Sequence, residues 1–328
     1  MEPEKAAAHS SVSGEAGNHR KGAFIMKNGQ IWLDVDGKDI QAHGGCILQY
    51  RDRFYWYGEN KGAPNCPGRS RVDVIGVSCY SSGNLVDWKY EGLVLKAESD
   101  PESPLHFSKV VERPKVLYNE KTNRFVMWMH LDSPDYSFSS VGIAAAEQPT
   151  GPFRLIKTTH PNRQESRDMT LYRDEDGTAY LIHAKDWNKT MNIARLNGEY
   201  TDLDGTYVSV MADQEREAPA LCKHGGQYYM ITSGCTGWAP NSALYAVSPQ
   251  IMGHWKLIDN PCEGPNSRKT FFGQSSFLFT VNQKHYLMLD HWIPENLQKS
   301  GYSILPVTFD GDGAMTVRWV DTWNGPEE

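Results

Sequence analysis

Apolar residues along this chain come in short runs broken by polar turns, not at every third or fourth position. The pattern therefore predicts strands and hairpins rather than amphipathic helices. One unit recurs: an apolar run, a polar turn, then a strand carrying aromatics. It appears as ILQYRDRFYWYGE from Ile47, VLYNEKTNRFVMWMH from Val116, TLYRDEDGTAYLIHA from Thr170, ALCKHGGQYYMITS from Ala220 and SFLFTVNQKHYLMLD from Ser276. The aromatics Phe54, Phe125, Tyr180, Tyr229 and Tyr286 mark corresponding places in the five copies. A second hairpin-like pair follows each copy, so every repeat holds about four strands, and self-similarity of this kind marks a repeat architecture. A lone four-stranded unit cannot bury both faces, whereas five packed radially bury a continuous core and leave only short edges. The predicted fold is all-β, a five-bladed β-propeller spanning residues 23–328 as a single domain, with residues 1–22 as a disordered polar tail. An irregular sandwich is the alternative, but it offers no reason for a four-strand unit to repeat five times.

In a propeller the innermost strand of each blade runs along the central channel, so residues just before it gather around one axis at one face. Counting back four residues from Ile47, Val116, Tyr172, Leu221 and Leu278 gives His43, Glu112, Asp168, Glu217 and Gln274. Any one of these acids alone reads as solvated charge at a loop end. Three carboxylates in register are different, because they cannot all ionise cheaply when forced together, and at least one pKa must rise. A carboxyl that stays protonated near neutrality is what glycoside hydrolysis needs on the departing oxygen, with a second group on the opposite face of the sugar.

Composition narrows the field. A net charge of −7 over 328 residues, without a long basic run, argues against a nucleic-acid partner. No apolar stretch approaches the roughly 20 residues of a membrane helix, so no membrane partner is expected, and the N-terminal residues lack the apolar core of a signal peptide. As written the chain reads as cytoplasmic, or as extracellular or periplasmic if a signal peptide has been removed. The 10 Trp and 16 Tyr suit either packed sheets or stacking on sugar faces. Six cysteines without any CxxC pair are expected to be buried free thiols. HExxH, GxSxG, Walker and GxGxxG motifs are missing, and so are the His-rich clusters of a catalytic zinc site. No cofactor and no catalytic metal are expected; a structural calcium, or a water ordered on His43 in the channel, is the alternative.

The runs IQAHGG, FYWYGENKG, GVSCYSS, VVERPKVLYN, SRDMTLYRDEDG, REAPALCKHGGQYYMITSGCTGWAPN and FFGQSSF resemble glycoside hydrolase family 43, in its branch of exo-β-1,3-galactanases and related galactosidases. The resemblance covers about residues 22 to 324. It implies an inverting enzyme that removes terminal galactose from β-1,3-linked galactan or galacto-oligosaccharides of the arabinogalactan type. By it, Glu217 is the general acid, Asp168 tunes and orients that acid, and Glu112 is a carboxylate near the reacting sugar. Gln274 holds the attacking water; a neutral amide is a poor proton acceptor, so the proton goes to an amide tautomer, to Glu112 or to Asp168. Glu59, Tyr136, Trp238 and Trp292 look like subsite residues, with His43 standing where the wider family has an aspartate. Where the galactanase-like pattern often has arginine, this chain has His291. Two alternatives remain: an α-L-arabinofuranosidase or β-xylosidase of the same family, and a non-catalytic glycan-binding propeller.

Overall fold

The computed structural model describes residues 25–327; the 1–22 tail lies outside the described residues. Five sheets, each a meander of neighbouring antiparallel strands, form the five blades of a β-propeller. Blade 1 consists of His43–Tyr50, Arg53–Glu59, Gly76–Ser82 and Lys89–Lys96. Blade 2 consists of Val110–Asn119, Arg124–Asp132, Ser140–Ala146 and Arg154–Thr159. Met169–Arg173, Ala179–Lys185, Thr190–Leu196 and Leu203–Val210 form blade 3, and Arg216–His224, Gln227–Gly234, Leu244–Ser248 and Lys256–Leu257 form blade 4. Blade 5 runs through Gln274–Val281, Lys284–His291, Gly301–Phe309 and Met315–Arg318, with Cys262–Glu263 added in parallel at its outer edge.

All five marker aromatics fall in the second strand of their blades, but not on one rung. Phe54 pairs with Gln49 and Phe125 with Tyr118, whereas Tyr180 pairs with Tyr172. β-Bulges account for one residue of the difference. Blades 1, 2, 4 and 5 each carry a register shift just inside the inner strand, after His43, Glu112, Glu217 and Ser275, and no shift interrupts the inner pairing of blade 3. A bulge inserts one unpaired residue and re-aims the side chains around it, which is why bulges collect beside functional sites. In three blades the residue after the channel position is left-handed: Gly44 at φ 56°, Arg113 at 53° and Ala218 at 52°. Glycine is required at the first, because a Cβ there would stand 2.3 Å from Glu59 Oε1. Arg113 and Ala218 take the same conformation with a side chain, at roughly 1–3 kcal/mol each, so their surroundings hold strained backbone in place.

The ring is closed by the segment after the tail. Met26–Lys27 pairs with Thr322–Trp323, and Gln30 bridges Tyr302 of blade 5. The buried Asn28 donates through Nδ2 to the carbonyls of Ile304 and Val320 and accepts from the Ile304 amide. Losing that side chain would strand buried backbone groups, at roughly 1–3 kcal/mol for each. Beside this latch Trp32, Trp56, Trp88 and Tyr302 pack edge to face between blades 1 and 5. Six of the ten tryptophans, residues 32, 56, 88, 128, 255 and 323, are buried in the core, so most of the indole content serves packing. Cys46, Cys79, Cys222 and Cys262 are buried free thiols as expected, while Cys66 is half-buried and Cys235 exposed.

Candidate active site

The channel positions converge on one cleft of about 360 Å³, lined by Glu59, Lys61, Arg71, Glu112, Arg113, Tyr136, Asp168, Glu217, Trp238, Gln274 and Trp292 among others. Four of the five register-derived residues therefore meet at one face. At the centre lies Arg113, 5% exposed, the residue lifted by the blade 2 bulge. Its Nε and Nη2 donate to the two oxygens of Asp168 at 2.9 Å each, Nη2 donates also to Gln274 Oε1 at 2.8 Å, and Nη1 donates to the Ser275 carbonyl at 2.9 Å. Asp168 Oδ2 also accepts from the amide of Ala218, beside Glu217. A bidentate arginine–carboxylate pair fixes geometry as well as charge, so Asp168 is held rigidly next to Glu217.

Glu217 has a different environment. Its Oε1 accepts from Gln274 Nε2 at 3.0 Å and its Oε2 from Asn188 Nδ2 at 3.0 Å, both neutral amides. Burial, reinforced by the negative charge of Asp168 and only partly opposed by Arg113, pushes the Glu217 carboxyl up to about 8. The group is thus protonated at neutral pH. Gln274 is tied on every side: Oε1 accepts from Arg113 and from Trp292 Nε1 at 3.0 Å, and Nε2 donates to Glu217 and to Ser233 Oγ at 3.2 Å. Because arginine and indole only donate, the amide oxygen must face them and the NH2 must face Glu217.

Glu112 faces the opposite regime. Tyr136 donates to its Oε1 at 2.7 Å, and His130 Nδ1 lies 3.4 Å from Oε2. Burial favours the neutral acid, but the contacts with His130 and the charge of Lys61 outweigh it and bring Glu112 down to about 2. His130 is itself buried, which favours its neutral form. Asp132, 2.9 Å from His130 Nε2, and Glu112 override that and raise it to about 9. Glu59 accepts from the Arg113 amide at 2.9 Å and pairs with Lys61 at 2.7 Å, with its pKa raised by burial.

Glu112, Asp168, Glu217, Gln274, Glu59, Tyr136, Trp238 and Trp292 all line the cleft. Trp238 is 43% exposed and packs edge to face on Trp292 at 5.7 Å. His43 is not among them: it is fully buried beside Trp292, stacked on Tyr302 at 4.6 Å, with Nδ1 3.1 Å from Asp290 and Nε2 3.0 Å from the Tyr302 hydroxyl. A sugar in the cleft cannot reach it, and both ring nitrogens are spent, so it is not placed to hold an ion. Among the described residues no three His, Cys, Asp or Glu side chains gather as metal ligands would. His291 is likewise turned away from the cleft, buried and within 2.7 Å of Ser303 Oγ.

Asp168 binds Arg113 rather than its neighbour Arg167, and Glu112 contacts His130 and Tyr136 rather than Arg113 or Lys115. Buried Lys115 instead donates to the carbonyls of Gly44 and Arg113, tying the bulges of blades 1 and 2. Sequence reasoning missed Arg113 as the hub, and it missed His130, Ser233 and Asp290. A signal for these last three existed: each is the antiparallel partner of a channel residue, His130 of Glu112, Ser233 of Glu217 and Asp290 of Gln274.

A propeller whose axial cleft gathers one protonated carboxyl and three further acids beside exposed indole defines a glycoside hydrolase. The chain belongs to the glycosyl hydrolases family 43, whose family description matches residues 34–314. Among solved structures it is similar to a family 43 β-1,3-galactosidase solved with galactodeoxynojirimycin, at 34% identity and TM-score 0.86 over 91% of this chain and 100% of the other. It is similar also to the exo-β-1,3-galactanase of Phanerochaete chrysosporium solved with β-1,3-galactotriose, at 35% identity and TM-score 0.84, covering 91% of this chain and 67% of that one. The exo-β-1,3-galactanase of Clostridium thermocellum matches at 32% identity and TM-score 0.81, covering 91% and 66%. No curated protein sequence matches the chain significantly.

Proposed function

We propose that this glycoside hydrolase is an exo-acting, inverting enzyme that releases terminal galactose from β-1,3-linked galactan or galacto-oligosaccharides. The observation that carries the reading is Glu217: a carboxyl raised to about 8 at the head of an axial cleft, in a chain similar over its length to β-1,3-galactosidases. In this reading Glu217 protonates the departing glycosidic oxygen. Asp168, clamped by Arg113, keeps negative charge beside it so that the proton stays on Glu217 until the bond breaks. Glu112 and Glu59, with Tyr136, bind hydroxyls of the terminal sugar, because carboxylates accept what hydroxyls donate. Trp238 and Trp292 offer indole faces to the apolar side of the ring.

Gln274 positions the attacking water, for which it gives up the longest of its four contacts, the 3.2 Å bond from Nε2 to Ser233 Oγ. Its NH2 touches Glu217 directly at 3.0 Å, whereas the acid and the water-activating group of an inverting pair stand roughly 6.5–9.5 Å apart. Inversion therefore requires the water to lie beyond that contact, on the far side of the sugar from Glu217. Proton NMR of the first product tests this step: the α-anomer of galactose from a β-linked substrate is expected, and the β-anomer would overturn it.

The test of the whole reading is product analysis with β-1,3-galactan, β-1,3-galactobiose and aryl arabinofuranosides. Galactose from the first two, without long oligosaccharides appearing earlier, is expected for the wild type. Arabinose alone would move the substrate within the family and leave the fold and the acid in place.

A further inference from the structure

Beside the acid, the turn between the second and third strands of blade 3 holds three successive left-handed residues, Asp186 at φ 54°, Trp187 at 56° and Asn188 at 64°. Three such residues in a row are strained backbone, and such strain persists only where the surroundings enforce it. The enforcement is visible. Asn188 donates to Glu217 Oε2, and the Trp187 amide is bound by Glu165 Oε1. The guanidinium of Arg167, itself 8% exposed, lies 3.9 Å over the Trp187 ring, and its Nη2 reaches both Glu165 and the carbonyl of Tyr136 at 3.3 Å. The indole is nevertheless 68% exposed. Single exposed apolar residues are ordinary, but this one is clamped by a cation–π contact and sits next in sequence to the residue that holds the acid.

General-acid chemistry sets which side of the scissile bond this is. The proton goes to the oxygen that leaves with the rest of the chain, so whatever stands beyond Glu217 faces the leaving sugars, not the sugar whose anomeric carbon is attacked. We propose that Trp187 is a stacking platform for the leaving galactan chain, braced by Arg167 and carried by the same turn whose Asn188 holds Glu217. The inference rests on the hydrolase reading above and extends it to the departing side of the cleft. A flat ring stacked against a saccharide face gives affinity for a longer chain without adding anything to a substrate that ends at the scissile bond.

The test compares β-1,3-galactotriose with β-galactosyl fluoride, whose leaving group is too small to reach Trp187. For Trp187→Ala the ratio of kcat/KM, triose over fluoride, is expected to fall roughly five- to ten-fold, in line with about 1 kcal/mol for an aromatic stack. Trp187→Phe is expected to recover most of the ratio. An unchanged ratio, or an equal fall on both substrates, would overturn the platform. If the wild type cleaves arabinosides in place of galactosides, the same ratio is read on an arabino-oligosaccharide against its methyl glycoside, which separates failure of the sugar assignment from failure of the platform. A wild type that cleaves nothing in either panel would overturn both.

Discussion

Glu112 and Glu217 occupy the same place in blades 2 and 4, four residues ahead of an equivalent apolar position, each followed by a left-handed bulge residue. Their protons behave oppositely. Glu112 is drawn down to about 2 and Glu217 pushed up to about 8. The cause is what the next strand and the next blade supply. Glu112 is opposed by His130 on its own second strand and helped by the hydroxyl of Tyr136. The partner of Glu217 is Ser233, which bears no charge, and the groups that touch its carboxyl are the amides of Asn188 and Gln274 and the thiol of Cys235, with the negative Asp168 beyond. One repeat thus yields a permanent anion on one wall of the cleft and a proton donor on the other, and the division of labour resides in the partners rather than in the glutamates.

Several changes break or sharpen this contrast. Removing the donor has the largest effect: in Glu217→Gln, kcat/KM on β-1,3-galactobiose is expected to drop about 10²- to 10⁴-fold, the usual worth of a general acid, while galactose binding measured by calorimetry persists. Next comes the hub between the two walls. Arg113→Met leaves the half-buried Asp168 without its partner and should lower unfolding stability by about 3 kcal/mol in denaturant titration.

The pH profile reads the contrast directly. Glu217 must carry its proton to act, so kcat/KM is expected to decline as pH rises through about 8. Asp168→Asn removes the charge that resists ionisation of Glu217 and leaves the positive Arg113 uncompensated, so the alkaline limb should move to lower pH. On the other wall, loss of His130 in His130→Ala should raise Glu112 and carry the acid limb upward. Stability follows the same signs. The raised His130 contributes stability that is complete below about 6.5 and lost as pH climbs through about 9, and the lowered Glu112 contributes stability present above about 4.5 and lost as pH falls through about 2. Thermal denaturation across pH is expected to show both shoulders, with His130→Ala removing the alkaline one. The smallest change is Trp292→Phe, which keeps an aromatic wall but removes the bond to Gln274 Oε1. A loss of about 0.5–1.5 kcal/mol, some two- to ten-fold in kcat/KM, is expected.

Much of this architecture could be read from residue order. Strand alternation and the fivefold repeat carry the fold, because side-chain period and blade packing are local consequences of pattern, and a four-residue offset was enough to bring Glu112, Asp168, Glu217 and Gln274 to one cleft. His43 satisfied the same offset and went elsewhere, into the wall, where Asp290 and Tyr302 take its nitrogens. Tertiary structure alone decided that placement. It also decided which acid keeps its proton and that Arg113, 161 residues from Gln274 and 55 from Asp168, would join them. The physical reason is range: periodicity is set by neighbours along the chain, whereas burial, charge and hydrogen bonding at the channel depend on partners that only the closed ring of blades brings within 3 Å.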